Sequence, residues 1–299
     1  MKKIKKRSNI VWLQGLTCNG NTQSFLNYPS IDIFSQYFDI LHHPLLKTPY
    51  SLEEVISSTM RVDFLVVEGA FSKNSEIVSR FGYFFKELVD KLSKKAKHII
   101  CAGSCASFGG IFRLQDENQI CGALFNGKIK GGFWNENEKV VNISGCPMHP
   151  RWFVETLLKL HFGDNLHLDE YKRPKEVYSY LVHHGCLRNE YFEWKVDCKE
   201  YGQKEGCLFY IHGCQGPMTH ANCNKILWNS VSSKTRVGSP CLGCTEFDFP
   251  RKALHETQTH MSLPAAPHGI SKRAYYSLAG VAKGFKIDRL EKRLFDEND

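Results

Sequence analysis

The sequence predicts an α/β fold: an N-terminal part built on a parallel sheet, then an irregular, cysteine-rich C-terminal part. Three observations predict it. Strand-like and helix-like runs alternate through residues 1–163; glycine-rich loops carrying single cysteines follow three of the strands; and from residue 164 onward that rhythm gives way to glycine, proline and cysteine punctuation. Alternating elements of this kind form a parallel sheet covered on both faces.

The elements follow in order. Asn9-Ile10-Val11-Trp12-Leu13 reads as a short buried strand, and Phe38-Asp39-Ile40-Leu41 as a second. Ser51-Leu52-Glu53-Glu54 has the spacing of a capping box and opens a short helix. Val62 to Val67 is apolar and β-branched, a third strand closed by Gly69. Ile77, Phe81, Phe84, Leu88 and Leu92 recur at helical spacing, with Phe85 and Val89 widening the stripe, so a helix is expected across that stretch. His98-Ile99-Ile100-Cys101-Ala102 and Lys139-Val140-Val141-Asn142-Ile143 read as further strands. Pro150 stands at the start of a helix with Phe153, Val154, Leu157 and Leu158 on its apolar face, and Gly163 ends it.

Ligands of open parallel sheets bind at loops beyond the carboxyl ends of the strands. Cys18, Cys105 and Cys146 all fall in such loops, far apart in sequence yet brought to one sheet edge by the topology. Their glycine-rich surroundings let backbone approach a bulky ligand and aim N–H groups at it. A phosphate-binding loop is the rival reading, but it leaves three thiols unexplained. The C-terminal part adds Cys186, Cys198, Cys207, Cys214, Cys223, Cys241 and Cys244, with Cys241-Leu242-Gly243-Cys244 a two-residue-spaced pair. A region with so little periodic core needs staples. One structural zinc would use four ligands. The larger set of sulfurs, with an occasional histidine, fits several iron–sulfur clusters better.

Composition narrows the class. Of 299 residues, 42% are apolar and 23% charged, which excludes disorder and collagen-like repeats, and the formal charge of +8 is too diffuse to indicate a partner. The 12 cysteines are not read as a disulfide framework. The basic start Met1–Arg7 leads into a stretch too short and polar for a secretory core, and no Arg-Arg pair occurs. The expectation is a cytoplasmic chain, with membrane association through a partner left open and no transmembrane segment.

Eight segments in order resemble the small, electron-transfer subunit of nickel–iron hydrogenases: Trp12-Leu13-Gln14-Gly15 with Cys18; Val67-Glu68-Gly69-Ala70; Cys105 to Gly110; Gly145-Cys146-Pro147; His183-His184-Gly185-Cys186; Gly213-Cys214-Gln215-Gly216-Pro217; Asn222-Cys223; and Pro240 to Glu246. The resemblance implies a flavodoxin-like domain at 1–163 carrying a proximal cluster. It implies an irregular domain at 164–299 carrying a medial and a distal one. The partner is a large subunit holding the nickel–iron site, and this chain supplies no catalytic residue. The implied proximal ligands are Cys18, Cys105 and Cys146, with Asn21 where the family usually has a fourth cysteine, so that cluster is 3Fe–4S, or 4Fe–4S with an unusual ligand. Cys223, Cys241 and Cys244 would hold a medial 3Fe–4S cluster, Lys234 standing where relatives carry proline or a fourth cysteine. His183, Cys186, Cys207 and Cys214 would hold a distal 4Fe–4S cluster. His-x-x-Cys spacing favours His183 over His184, and Cys207 lies one residue farther from Cys214 than the family spacing. Asn21 and the tail His268–Tyr275 resemble the cytosolic uptake branch. A hydrogen-sensing relative and an unrelated zinc-stabilised binding protein are the alternatives. Gly20 and Gly110 stand where certain oxygen-tolerant members carry extra cysteines. Glu68 is either a neighbour of the proximal cluster or an ordinary capping acid.

Overall fold

The computed structural model describes residues 6–74, 76–80, 82–251, 259, 260, 263, 264, 274 and 277, so Phe81 and most of the 268–275 tail lie outside the described residues. The chain divides into two compact units, residues 1–176 with 245–249, and residues 177–244 with 250–299.

The first unit runs β1 (Ser8–Gln14), α1 (Gly20–Leu26), α2 (Ile31–Tyr37), β2 (Phe38–His42), α3 (Leu52–Ser57) and β3 (Val62–Glu68). Short strands β4 (Phe71–Ser72), β5 (Ser79–Arg80) and β6 (Tyr83–Phe84) follow, then α4 (Phe85–Lys95), β7 (Ala96–Ala102), α5 (Gly103–Phe108) and α6 (Gly110–Arg113). Three more short strands, β8 (Ile120–Cys121), β9 (Phe125–Asn126) and β10 (Ile129–Lys130), precede β11 (Val140–Ile143) and α7 (Pro150–Phe162). The five long strands form one parallel sheet in the order β11-β7-β3-β1-β2. Counted along the chain that is 2-1-3-4-5, the flavodoxin-like order.

The strands are near-continuous apolar runs because both faces are covered. Successive side chains alternate between faces. Val11, Leu13, Leu65, Val67, Ile99 and Cys101 face a core completed by Leu52 and Val55 of α3 and by Phe85, Leu88, Val89 and Leu92 of α4. Toward α1, α2 and α7 the packing is aromatic: Trp12 lies 5.7 Å from Phe25 and 5.4 Å from Phe153, and Phe25 lies 5.0 Å from Phe34. The capping box at Ser51 is present in full, with Glu54 N donating to Ser51 Oγ at 3.2 Å and Ser51 N donating to Glu54 Oε2 at 2.7 Å. Gly163 ends α7 in the left-handed region at φ 86°.

Two features depart from the sequence reading. The aromatic stripe does not continue as a helix back to Ile77. Gly82, at φ 82°, lies in the turn joining β5 to β6, so α4 starts at Phe85 and leaves Ile77 and Phe84 about 40% exposed. The compact unit also extends beyond Gly163. Asn142 N donates to Lys172 O at 2.9 Å and Asn142 Nδ2 to Tyr171 O at 2.8 Å, which ties residues 171–172 to the edge strand β11. Residues 245–249 join this unit through Thr245 O, which accepts from Ser144 Oγ at 2.8 Å and Arg173 Nη1 at 2.9 Å.

Among its described residues the second unit has little regular structure: 3₁₀ turns at Val182–Gly185 and Gly216–Met218, a short helix at Asn189–Glu193 and a two-stranded pair of Thr259–His260 with Leu263–Pro264. Hydrogen bonds between loops organise it, among them Leu181 with His220 and Asp197 with Cys207 as isolated bridges.

Candidate functional site

The loops after β1, β7 and β11 are lashed together. Ser104 N donates to Gly145 O and Gly145 N to Ser104 Oγ, both at 2.9 Å, which joins the Cys105 and Cys146 loops. Asn21 Oδ1 accepts from Met148 N at 2.9 Å, which joins the Cys18 and Cys146 loops. Ser24 Oγ donates to the carbonyl of the same residue, Met148, at 2.6 Å. A Cβ added to Gly20 would lie 3.3 Å from Cys18 Sγ and 3.8 Å from Pro147 Cβ, and one on Gly110 only 2.6 Å from Cys105 Sγ. A side chain at either position would crowd the neighbouring thiol. Burial pushes the Cys105 thiol up to about 11, with nearby Cys18 and Glu68 adding to the rise and the N–H groups of Ile111 and Phe112 opposing it.

Glu68 is fully buried at the carboxyl end of β3 and accepts five hydrogen bonds. Oε1 takes Asn21 N at 3.0 Å and Thr22 N at 3.1 Å; Oε2 takes Trp12 Nε1 at 3.1 Å, Gln14 Nε2 at 3.3 Å and the Thr22 hydroxyl at 2.5 Å. It therefore anchors the start of α1 and stands electrostatically close to Cys105. Thr22 Oγ1 also lies 3.3 Å from His43 Nε2. Sequence reasoning missed this network because its members are scattered from residue 12 to residue 68.

Asn21 sits where a fourth donor was expected, but its carbonyl oxygen is engaged by Met148 N–H. The geometry gives the side chain a tying role. Cys101 and Cys121 are both packed in the apolar core, Cys101 with no exposed surface at all, which removes them as substitutes for a fourth corner.

In the second unit, His183, Cys186, Cys207 and Cys214 line one cavity, with Arg188, Phe209 and Thr235 among its other walls. Backbone N–H groups point at each sulfur: Arg188 N to Cys186 Sγ at 3.4 Å, Phe209 N to Cys207 Sγ at 3.4 Å, Gly216 N to Cys214 Sγ at 3.5 Å. Such donors stabilise thiolate and tune whatever the thiolates hold. Burial pushes Cys207 and Cys214 each up to about 12. Burial also holds His183 down to about 4, assisted by His184 and opposed by Asn189, so a neutral imidazole with a free lone pair is present at pH 7. The extra residue between Cys207 and Cys214 is accommodated, since Cys207 is held by Cys207 N to Val196 O at 2.7 Å and Cys198 N to Cys207 O at 2.9 Å. Cys198 is not among the walls of the cavity and donates to Glu200 O at 2.9 Å.

Cys223, Cys241 and Cys244 form a second group in this unit. Burial raises Cys223 and Cys241, and each is raised further by neighbouring thiols, Cys223 by Cys241 and Cys244, Cys241 by Cys214 and Cys244. The two groups touch: Cys241 N donates to Cys214 Sγ at 3.3 Å. Lys234 is exposed, while its neighbours Ser233 and Thr235 turn inward to Asn224 Oδ1 at 2.5 and 2.9 Å. Among the described residues, no three His, Cys, Asp or Glu side chains close around a point where a single ion would sit.

Comparison with known proteins identifies the family. Residues 178–255 match the C-terminal family of the NiFe/NiFeSe hydrogenase small subunit, and residues 18–160 match the family described as NADH ubiquinone oxidoreductase, 20 Kd subunit. The periplasmic [NiFe] hydrogenase small subunit of Solidesulfovibrio fructosivorans is 30% identical over 82% of this chain and 80% of its own length. The chain belongs to the nickel–iron hydrogenase small-subunit family. As such it works in an oxidoreductase complex, paired with a large subunit. The F420 non-reducing hydrogenase I small subunit of Methanosarcina mazei is 29% identical over 93% of this chain and 81% of its own length. Among solved structures, an actinobacterial-type NiFe-hydrogenase from Ralstonia eutropha H16 superposes with a TM-score of 0.71 at 26% identity, covering 99% of this chain and 93% of that one.

These relatives correct one expectation. Two of the similar small subunits, from Solidesulfovibrio fructosivorans and Desulfomicrobium baculatum, are named periplasmic, which overturns the cytoplasmic reading. That reading leaned on the first residues, on the absence of an Arg-Arg pair and on the likeness of Asn21 and the 268–275 tail to a cytosolic branch. Among the described residues, no helix is long and apolar enough to cross a membrane.

Proposed function

We propose that this chain relays single electrons from hydrogen oxidation in the large subunit, through proximal, medial and distal iron–sulfur clusters, to an acceptor. In this reading Cys18, Cys105 and Cys146 hold the proximal cluster and Asn21 ties their loops. Cys223, Cys241 and Cys244 hold a medial 3Fe–4S cluster, and His183, Cys186, Cys207 and Cys214 a distal 4Fe–4S cluster. The flavodoxin-like domain carries the first and the irregular C-terminal domain the other two. Clusters bound there supply sites that take up and release one electron at a time.

The protein's part is to space the sites, exclude water and aim N–H groups at sulfur. The observation that carries the reading is the hydrogen bond from Cys241 N to Cys214 Sγ. A donor of the medial group thereby contacts a donor of the distal group directly, which suits transfer between them. Oxidation is the favoured direction because histidine in place of a fourth thiolate raises the potential at the distal end, and electrons released from hydrogen then run downhill toward it.

The test uses the heterodimer with Cys214→Ala. Exchange between hydrogen gas and deuterated water reports only on the partner's metal site and should persist. Hydrogen-dependent reduction of a dye that accepts electrons at the distal end should fall steeply. Dye reduction that stays in step with exchange would contradict the relay.

A further inference from the structure

Arg188 is 4% exposed and lines the distal cavity with Cys186, Cys207 and Cys214. Its guanidinium donates to neutral carbonyls, Nε to Thr235 O at 2.7 Å, Nη1 to Gly206 O at 2.8 Å and Glu205 O at 3.0 Å, and Nη2 to Gln203 O, and it also reaches the Cys198 thiol, outside the cavity. No carboxylate pairs with it among the described residues. Arg173, also deeply buried, is the opposite case: it meets Asp169 Oδ2 at 2.8 Å and Glu246 Oε1 at 3.6 Å.

A buried charge is costly unless it is paired. Carbonyl dipoles orient a guanidinium and satisfy its N–H groups, but they do not neutralise it. Across the cavity Arg188 shares a wall with the Cys186, Cys207 and Cys214 sulfurs, which become negative once they are thiolates. We propose that Arg188 is the counter-charge of the distal site, held against the sulfurs by a collar of carbonyls so that it raises the potential of the cluster bound there.

The inference rests on the cluster reading above. Three thiolates and a neutral imidazole leave the oxidised site with a net negative charge, and one added electron increases it by one unit with no proton taken up and no bond made or broken. A fixed positive charge favours the more negative state, and net charge is one determinant of potential. The other charged groups facing Cys207 partly cancel: Asp197 opposes the effect, while Lys195, whose ammonium lies 4.5 Å from the Tyr210 ring centroid, adds to it.

The experiment is a potentiometric titration of the purified heterodimer, following the paramagnetic signal that carries nitrogen coupling from a histidine ligand. Arg188→Gln, neutral but still a donor, should shift distal reduction about tenfold in its equilibrium constant, about 59 mV more negative for one electron. Arg188→Lys keeps the charge and should stay within about threefold of the parent, well inside that same conversion. An unmoved potential in a cluster-loaded Arg188→Gln complex overturns the proposal, and so does an equal drop in both variants. If Arg188→Gln does not load the cluster, a loaded Arg188→Lys complex near the parent potential supports the charge account. Loss of the cluster from both variants shows that the carbonyl collar alone matters and overturns it. A parent complex with no nitrogen-coupled cluster signal defeats the underlying cluster reading instead.

Discussion

Replacing Asn21 by alanine separates a tie from a ligand. The side chain is 7% exposed, and its carbonyl oxygen accepts from Met148 N–H at 2.9 Å, across 127 residues of sequence. Truncation leaves that buried N–H without its partner. An unsatisfied buried donor costs about 1–3 kcal/mol. For a unit of this size each kcal/mol moves the melting midpoint by about 2–4 °C, so the expected drop is about 2–12 °C. The assay is thermal unfolding of the heterodimer followed by circular dichroism, with low-temperature electron paramagnetic resonance on the same sample. The tie account predicts a lowered midpoint with the cluster signals unchanged in type. Ser24→Ala, which loses the bond to Met148 O, should couple non-additively with it because both grip one residue. An unchanged midpoint, or a proximal signal altered as if a ligand had departed, would refute the reasoning.

Three further outcomes follow from the geometry. Cys207→Ala should remove the nitrogen-coupled distal signal, whereas Cys198→Ala, outside the cavity, should keep all iron; equal losses on iron analysis would contradict the distinction. Burial holds His43 down to about 4 from an ordinary 6.5, so the unfolded chain binds a proton between those values and the folded chain does not. Its contribution to stability is therefore complete above about 6.5 and is lost as pH falls through about 4. His43→Gln should flatten the stability profile in that window, and an unchanged slope in denaturant titrations would contradict this. Lys234→Cys places its thiol on an exposed position, so the medial cluster should remain 3Fe–4S; conversion of its paramagnetic signal to that of a 4Fe–4S cluster would show that the loop turns inward.

The sheet was legible because its strands are buried on both faces and read as unbroken apolar runs, from Ile10 to Leu13 and from Phe64 to Val67. The cysteine loops were legible for a topological reason, since each follows a strand's carboxyl end. Local pattern misled at Ile77 and Phe84, where helical spacing continued through a turn that Gly82 enforces. Long-range polar contacts left no trace in the sequence. Nothing near Asn21 announces Met148, and the five donors on Glu68 come from residues 12 to 22. Arg188 had a faint signal, two residues beyond Cys186, but a buried guanidinium looks the same in sequence as a solvated one. Location was the reading that failed, because it drew on the first residues and not on the fold.

The central claim is that three groups of donors each hold a cluster. Iron and acid-labile sulfide measured on the purified heterodimer, with the signals counted by spin quantitation, test it most directly. The account predicts about ten or eleven cluster irons and about twelve sulfides per small subunit, with at least one 3Fe–4S signal (two if the proximal cluster is also 3Fe–4S) and one nitrogen-coupled 4Fe–4S signal. A fully active complex with iron for only one cluster, or with zinc in the cysteine sites, would contradict it.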